Sequence, residues 1–207
     1  MKKYILIFAL FSIVCKAQSP VKSLYLKGGD NISGAYYKDI DNDFNKFVGT
    51  WEYVTGTTSF KIVFQKKQQI FIDEYNAYYD VLIGEYRYIE NGIEKVNTLA
   101  MLDSPPADIY NHNIVSGAIL KNTSAPVCND CATGERRVAL QFSDPTRPGI
   151  LQGLSGEVIV RRADVGLTQK IRIILQQTGS VIPDANETPT NNAFNVAWGE
   201  YTLTKVN

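Results

Sequence analysis

Apolar and polar residues alternate along this chain with a period of two. Phe60, Ile62 and Phe64 alternate with Lys61 and Gln65, and Leu82, Tyr86 and Tyr88 with Glu85 and Arg87. Val138, Leu140 and Phe142 alternate with Arg137 and Gln141. Val158 and Val160 stand beside Glu157 and Arg161, and Ile171, Ile173 and Leu175 beside Arg172 and Gln176. Tyr201 and Leu203 close the series between Glu200, Thr202 and Thr204. Such alternation predicts strands with one face buried and one wet. Further strands are expected near 49–55, 69–74, 94–101 and 114–120. Asn91-Gly92 is a hairpin signal, and most of the prolines fall between the runs. Ser180 to Asn192 is long and polar and predicts an exposed loop. Only Asp41 to Phe47 suggests a helical turn. The expected fold is all-β, an antiparallel meander of about 8–10 strands closed as a barrel, with a β-sandwich as the alternative.

The N-terminus breaks this pattern. Lys2 and Lys3 precede an apolar run from Tyr4 to Val14, which is too short for the roughly 20 residues of a spanning helix. The run reads as a signal-peptide core with small residues at Cys15 and Ala17, and cleavage before Gln18. Residues 1–17 are thus a signal peptide, and the expected location is periplasmic or secreted. The alternative is an outer-membrane lipoprotein acylated at Cys15, which bulky Val14 disfavours. Removing this piece takes away Lys2, Lys3 and Lys16 and no acid. The balance shifts from 21 basic against 21 acidic side chains to a slight acidic excess. A near-neutral chain is a poor counterion displacer, so nucleic acid is not an expected partner. No transmembrane segment follows the leader, and a monomer is expected.

Cys128 and Cys131 then remain, in Val127-Cys128-Asn129-Asp130-Cys131-Ala132. A redox pair sits at a helix N-terminus, but loop signals flank these thiols and Asp130 disfavours a thiolate. Zinc needs about four ligands, and His112 is the only histidine. A disulfide closing a tight loop is the reading that survives. His112 lies in a polar stretch and reads as a surface-loop histidine, with no nucleophile elbow to serve.

The stretch Asp43-Phe44-Asn45-Lys46-Phe47-Val48-Gly49-Thr50-Trp51-Glu52-Tyr53 resembles the N-terminal signature of the lipocalins, within the calycin barrels. The resemblance implies a turn leading into a first strand that opens Gly-x-Trp, here Gly49 and Trp51, with the tryptophan closing one end of an eight-stranded barrel. It also implies an arginine packed over that ring. Lys205, on the last strand, is the nearest counterpart. The segment from Gly34 to Trp51 is similar to a set of small secreted bacterial proteins of unknown function. On this reading residues 18–42 are an N-terminal extension and 43–207 the lipocalin-like domain. Without the resemblance, Trp51 still reads as a core plug.

Other groupings say less. Asp39, Asp41 and Asp43 fit the first calcium-loop positions, but Phe44 and Thr50 stand where Gly and Glu are required, so helix-turn capping explains the acids better. Tyr75, Tyr78, Tyr79, Tyr86 and Tyr88 crowd one stretch, mostly as ordinary strand residues. Arg137, Arg161 and Arg172 face outward on three consecutive strands, with Glu135 and Glu157 placed to neutralise them. No catalytic constellation, metal site or cofactor motif emerges. The expected function is non-enzymatic binding of a small apolar or amphipathic ligand inside the barrel. Tyr53, Phe60, Ile62, Tyr86, Tyr88, Phe142 and Leu203 are its candidate lining. The alternative is a glycan-binding or structural module acting through its surface.

Overall fold

The computed structural model describes residues 19–25, 31–146, 154–179 and 193–206. The expected signal peptide and the 180–192 loop lie outside the described residues. Among the described residues, eleven strands form one sheet. They are β1 (Val21–Ser23), β2 (Tyr36–Lys38), β3 (Gly49–Thr55), β4 (Thr58–Ile72), β5 (Ala77–Glu90) and β6 (Ile93–Asn97). The series continues with β7 (Ile114–Lys121), β8 (Arg136–Phe142), β9 (Ser155–Arg162), β10 (Lys170–Gly179) and β11 (Gly199–Val206). Eight of them run up and down in chain order, β3-β4-β5-β7-β8-β9-β10-β11. β11 pairs back onto β3 through Lys205 and Trp51, and β7 closes on β5 through Ile114 and Gly84. The result is a closed antiparallel barrel, as the alternation implied. β1 and β2 add to it in parallel, β2 pairing with β5 through Tyr36–Tyr78 and Tyr37–Tyr79.

Two expected strands changed shape. The runs near 60–65 and 69–74 are one strand, β4, with a bulge between Lys67 and Ile70. Gln69 takes φ 55° there. Its amide donates to Asp80 Oδ1 at 3.1 Å, so the bulge is hydrogen-bonded. The run near 94–101 stops at Asn97 because Thr98 turns the chain back across β5. The Thr98 hydroxyl accepts from Tyr86 N and donates to Tyr86 O. Asn91 and Gly92 have φ values of 52° and 77°, the pair of left-handed residues that a tight hairpin between β5 and β6 requires.

Side chains sort by parity. On β5, Leu82, Tyr86 and Tyr88 face the barrel, opposite Lys66, Ile62 and Phe60 of β4. Val81, Ile83 and Glu85 face outward, yet all three are buried. Residues Asn113 and Met101, from the connection that crosses back over β5, reach this face. A cluster of Phe44, Phe47 and Trp51, all 0% exposed, fills one end. Asp39 supports the turn that carries it, accepting from Asp43 N at 2.8 Å and Phe44 N at 3.0 Å. The acids near residue 40 therefore cap a turn, as their spacing suggested.

Phe44 also explains a glycine. A Cβ on Gly117 would lie 2.4 Å from Phe44 Cζ, and Gly117 has φ 146°. Gly117→Ala must move a buried ring and accept a strained backbone. It is expected to cost about 1–3 kcal/mol, read as a lower melting temperature with strand content retained.

Candidate functional site

The barrel is weakest where β5 meets β7. Their described register is the single pair Gly84–Ile114, and β7 shifts between Val115 and Ala118, where Ser116 and Gly117 carry positive φ. The strands part beside this bulge. A hollow of about 200 Å³ opens there, walled by Tyr25, Tyr75, Tyr79, Tyr110 and Ile119, with Ser116 at the bulge. Tyr79 stacks on Tyr37 at 4.8 Å between centroids and meets Tyr75 edge-on at 5.7 Å. Its hydroxyl donates to Asn31 Oδ1 at 3.0 Å. Burial, reinforced by the neighbouring tyrosines, pushes the Tyr79 hydroxyl up to about 12. Burial raises Tyr110 as well. Both remain neutral hydroxyls at physiological pH. Aromatic faces bearing uncharged hydroxyls suit a ligand with an apolar face and polar edges.

Asp80 borders this hollow but is already committed. Its carboxylate accepts from Tyr36 Oη at 2.6 Å and Asp39 N at 3.0 Å, besides the amide of Gln69. Lys66 Nζ lies 2.8 Å from Asp39 Oδ2 and 3.7 Å from Asp80 Oδ2. This buried acid–base–acid group ties the segment between β2 and β3 to β4 and β5.

A second hollow, of about 250 Å³, lies on the outer face of β8 to β11 beneath the loop of Cys128 and Cys131. The two cysteines are joined, with Cα atoms 5.4 Å apart. Arg161 and Arg172 face each other in register on β9 and β10. Asp130, between the cysteines, sets one carboxylate oxygen against both guanidiniums, with Arg172 Nη1 at 2.8 Å. Arg172 also pairs with Glu200, and Arg161 approaches Glu135 at 3.7 Å. Burial acts to raise the Asp130 carboxyl, but Arg161 and Arg172 outweigh it and hold it below its ordinary 3.8. The folded state thus favours the ionised form. The contact's contribution is complete above the ordinary value and is lost as pH falls through the depressed one. The melting-temperature difference between wild type and Asp130→Ala is therefore expected to be flat above about pH 5 and to vanish in strong acid.

A family profile spans nearly the whole chain, residues 1–206. The chain belongs to DUF6705, a family of unknown function. No curated protein and no solved structure matches it. The eight-stranded barrel of this DUF6705 chain is consistent with the lipocalin resemblance. No helix among the described residues is long and apolar enough to cross a membrane. The disulfide points to a non-cytoplasmic location.

The expected lining is inside the barrel. Phe60, Ile62, Tyr86, Tyr88, Phe142 and Leu203 are buried, and Tyr53 packs against them from a half-buried position. Their rings meet one another. Phe60 stands edge-on to Tyr86 at 5.8 Å and to Tyr88 at 5.9 Å, and Tyr86 stacks on Phe142 at 4.9 Å. Neither hollow described above is lined by any of the seven. Gly49 opens β3 opposite Phe64, and Trp51 donates its indole N–H to Phe47 O at 2.6 Å. Lys205 does lie over Trp51, at 5.5 Å, but Arg162 of β9 also covers the ring at 5.3 Å. A planar guanidinium thus does cover Trp51, but it comes from β9 and not from the last strand.

Three readings need correction. His112 is not a surface histidine. It is buried, with Nδ1 2.7 Å from Glu85 Oε1, and Asn113 Nδ2 donates to Glu85 Oε2 at 2.8 Å. Glu85 faces outward as its parity requires, but the returning connection covers it and must supply polar partners. Nor is Arg137 an exposed cation, although it does lie on the outer face as its parity requires. It is 2% exposed and donates to Lys121 O and Ser124 O, bracing the start of the disulfide loop. Glu157 does not neutralise the arginines either, since it accepts from Gln176.

The seam site was missed. Tyr25 and Tyr110 lie far from the tyrosine-rich stretch in sequence, and only folding brings them beside Tyr75 and Tyr79. The available signal was Gly117 inside a run that otherwise reads as strand, which marks a bulge.

Proposed function

We propose that this DUF6705 protein is a secreted or periplasmic, non-enzymatic barrel that binds a small amphipathic ligand at the seam between β5 and β7. The observation that carries this reading is the hollow walled by Tyr25, Tyr75, Tyr79 and Tyr110, where the barrel strands part. A ligand held fully inside would have to separate rings now in mutual contact, and close-packed interiors resist that. The seam asks for no such displacement. Binding there buries an apolar ligand face against the rings, at about 25 cal/mol per Å² before ordering costs. Neutral hydroxyls then fix its polar edge.

Native mass spectrometry of the protein purified from its own host tests the proposal. The wild type is expected to retain a small molecule, Tyr110→Ser to lose most of it, and Phe142→Leu to keep it. Loss through Phe142→Leu with retention in Tyr110→Ser would move the ligand to the interior. Failure of both the native preparation and a panel of sugars and fatty alcohols to give any bound species would defeat the reading. Tyr110 is 36% exposed, so its replacement leaves the core intact.

A further inference from the structure

The arginine face under the disulfide loop is built unlike a chance surface cluster. Arg161 and Arg172 are direct cross-strand partners, placing two like charges side by side on a sheet. Left alone, that pairing is unfavourable. Arg137 borders the same hollow, buried, with its Nε lacking a hydrogen-bond partner. Three carboxylates, Asp130, Glu135 and Glu200, balance the three guanidiniums. Glu200 is fixed on β11, and Glu135 is hydrogen-bonded at the foot of the loop to Ala132 N. Asp130 differs. Its side chain is 62% exposed and reaches the arginines from the tip of a loop closed by Cys128 and Cys131. Withdrawing Asp130 would leave one uncompensated positive charge facing a ready-made hollow. Val127, Ile159 and Ile174 supply apolar walls, with Asn129 at the loop.

We infer that Asp130 is a built-in occupant of a carboxylate-binding site, and that a small organic carboxylate with a short apolar tail replaces it between Arg161 and Arg172 when the disulfide-closed loop swings aside. The planar guanidiniums supply hydrogen bonds matched to a carboxylate. The isoleucines receive the tail. Asp130 competes from a tether, so the site stays weak toward incoming anions until the loop moves. This site is separate from the seam, and either can fail without the other.

Isothermal titration with hexanoate tests the inference, with hexanol and inorganic sulfate as controls at matched ionic strength. Asp130→Ala is expected to bind hexanoate about tenfold more tightly than wild type, because the internal competitor is gone. Hexanol should not bind, and sulfate should bind more weakly than hexanoate. Arg161→Gln added to Asp130→Ala should abolish the gain. The pair Cys128→Ser and Cys131→Ser keeps Asp130 but frees the loop, and should give an intermediate gain even where Asp130→Ala folds poorly. Equal affinity for hexanol, equal or tighter binding of sulfate, or no gain in either the Asp130 or the cysteine variant would overturn the proposal.

Discussion

Replacing Trp51 with alanine is expected to cost about 3–5 kcal/mol of folding stability, among the largest single losses available in this barrel. The ring is fully buried beside Phe44 and Phe47 at the barrel end. Its removal opens a cavity that strands on both sides cannot close, because β3 is held by β4 across seven paired positions and by β11 across three. Phe47 O also loses the indole donor. Arg162 and Lys205 lose the aromatic face beneath them, which stabilises a desolvated cation modestly. For a chain of this size the loss corresponds to a melting-temperature drop of roughly 10 °C. Thermal unfolding by circular dichroism measures it. Trp51→Phe keeps most of the volume but not the N–H, and should recover more than half. A drop of only a degree or two in Trp51→Ala would mean that the ring does not close the barrel.

Lys66→Ala is expected to have a similar effect for an electrostatic reason. Asp39 and Asp80 have fully buried side chains, and the Lys66 ammonium lies within ion-pair reach of both. Removing the cation leaves two buried carboxylates with backbone and tyrosine donors but no opposite charge. Breaking a buried pair in this way costs about 3–5 kcal/mol, because the desolvation of the remaining partner goes uncompensated. Urea denaturation of the single variant should show that loss. The triple variant Asp39→Asn, Asp80→Asn and Lys66→Met removes the charges together and should lose much less. Equal losses in the single and triple variants would show that hydrogen-bond geometry, not charge balance, holds this group together. The same measurement reports on how β2 and the turn after it are held, since Tyr36 and Asp39 both bond to Asp80.

The barrel was legible because period-two alternation is a local property. Each strand needs one apolar face whatever its neighbours are, so Phe60, Ile62 and Phe64 announce the buried face of β4 directly. The Gly49–Trp51 pair and the turn before it were legible for the same reason, as adjacent residues in one rigid unit. The disulfide followed from elimination over two thiols and one histidine. What failed depended on covering layers. Glu85 and Arg137 read as outward because parity gives a side of the sheet, and parity cannot say whether a loop lies on that side. His112 read as exposed because its polar neighbours made it resemble an ordinary loop. Its burial is set by Glu85, 27 positions away.

By itself, then, the sequence determined the strand faces, the all-β class, the meander and the cysteine pair. Each is fixed by the chemistry of residues a few positions apart. Only the tertiary structure decided where the barrel parts and what lines the parting. It also decided which cations cover Trp51 and that Asp130 lies between two arginines from different strands. Those features are meetings between segments dozens of residues apart. Chain closure and strand register create them, and local pattern carries no record of register between distant strands.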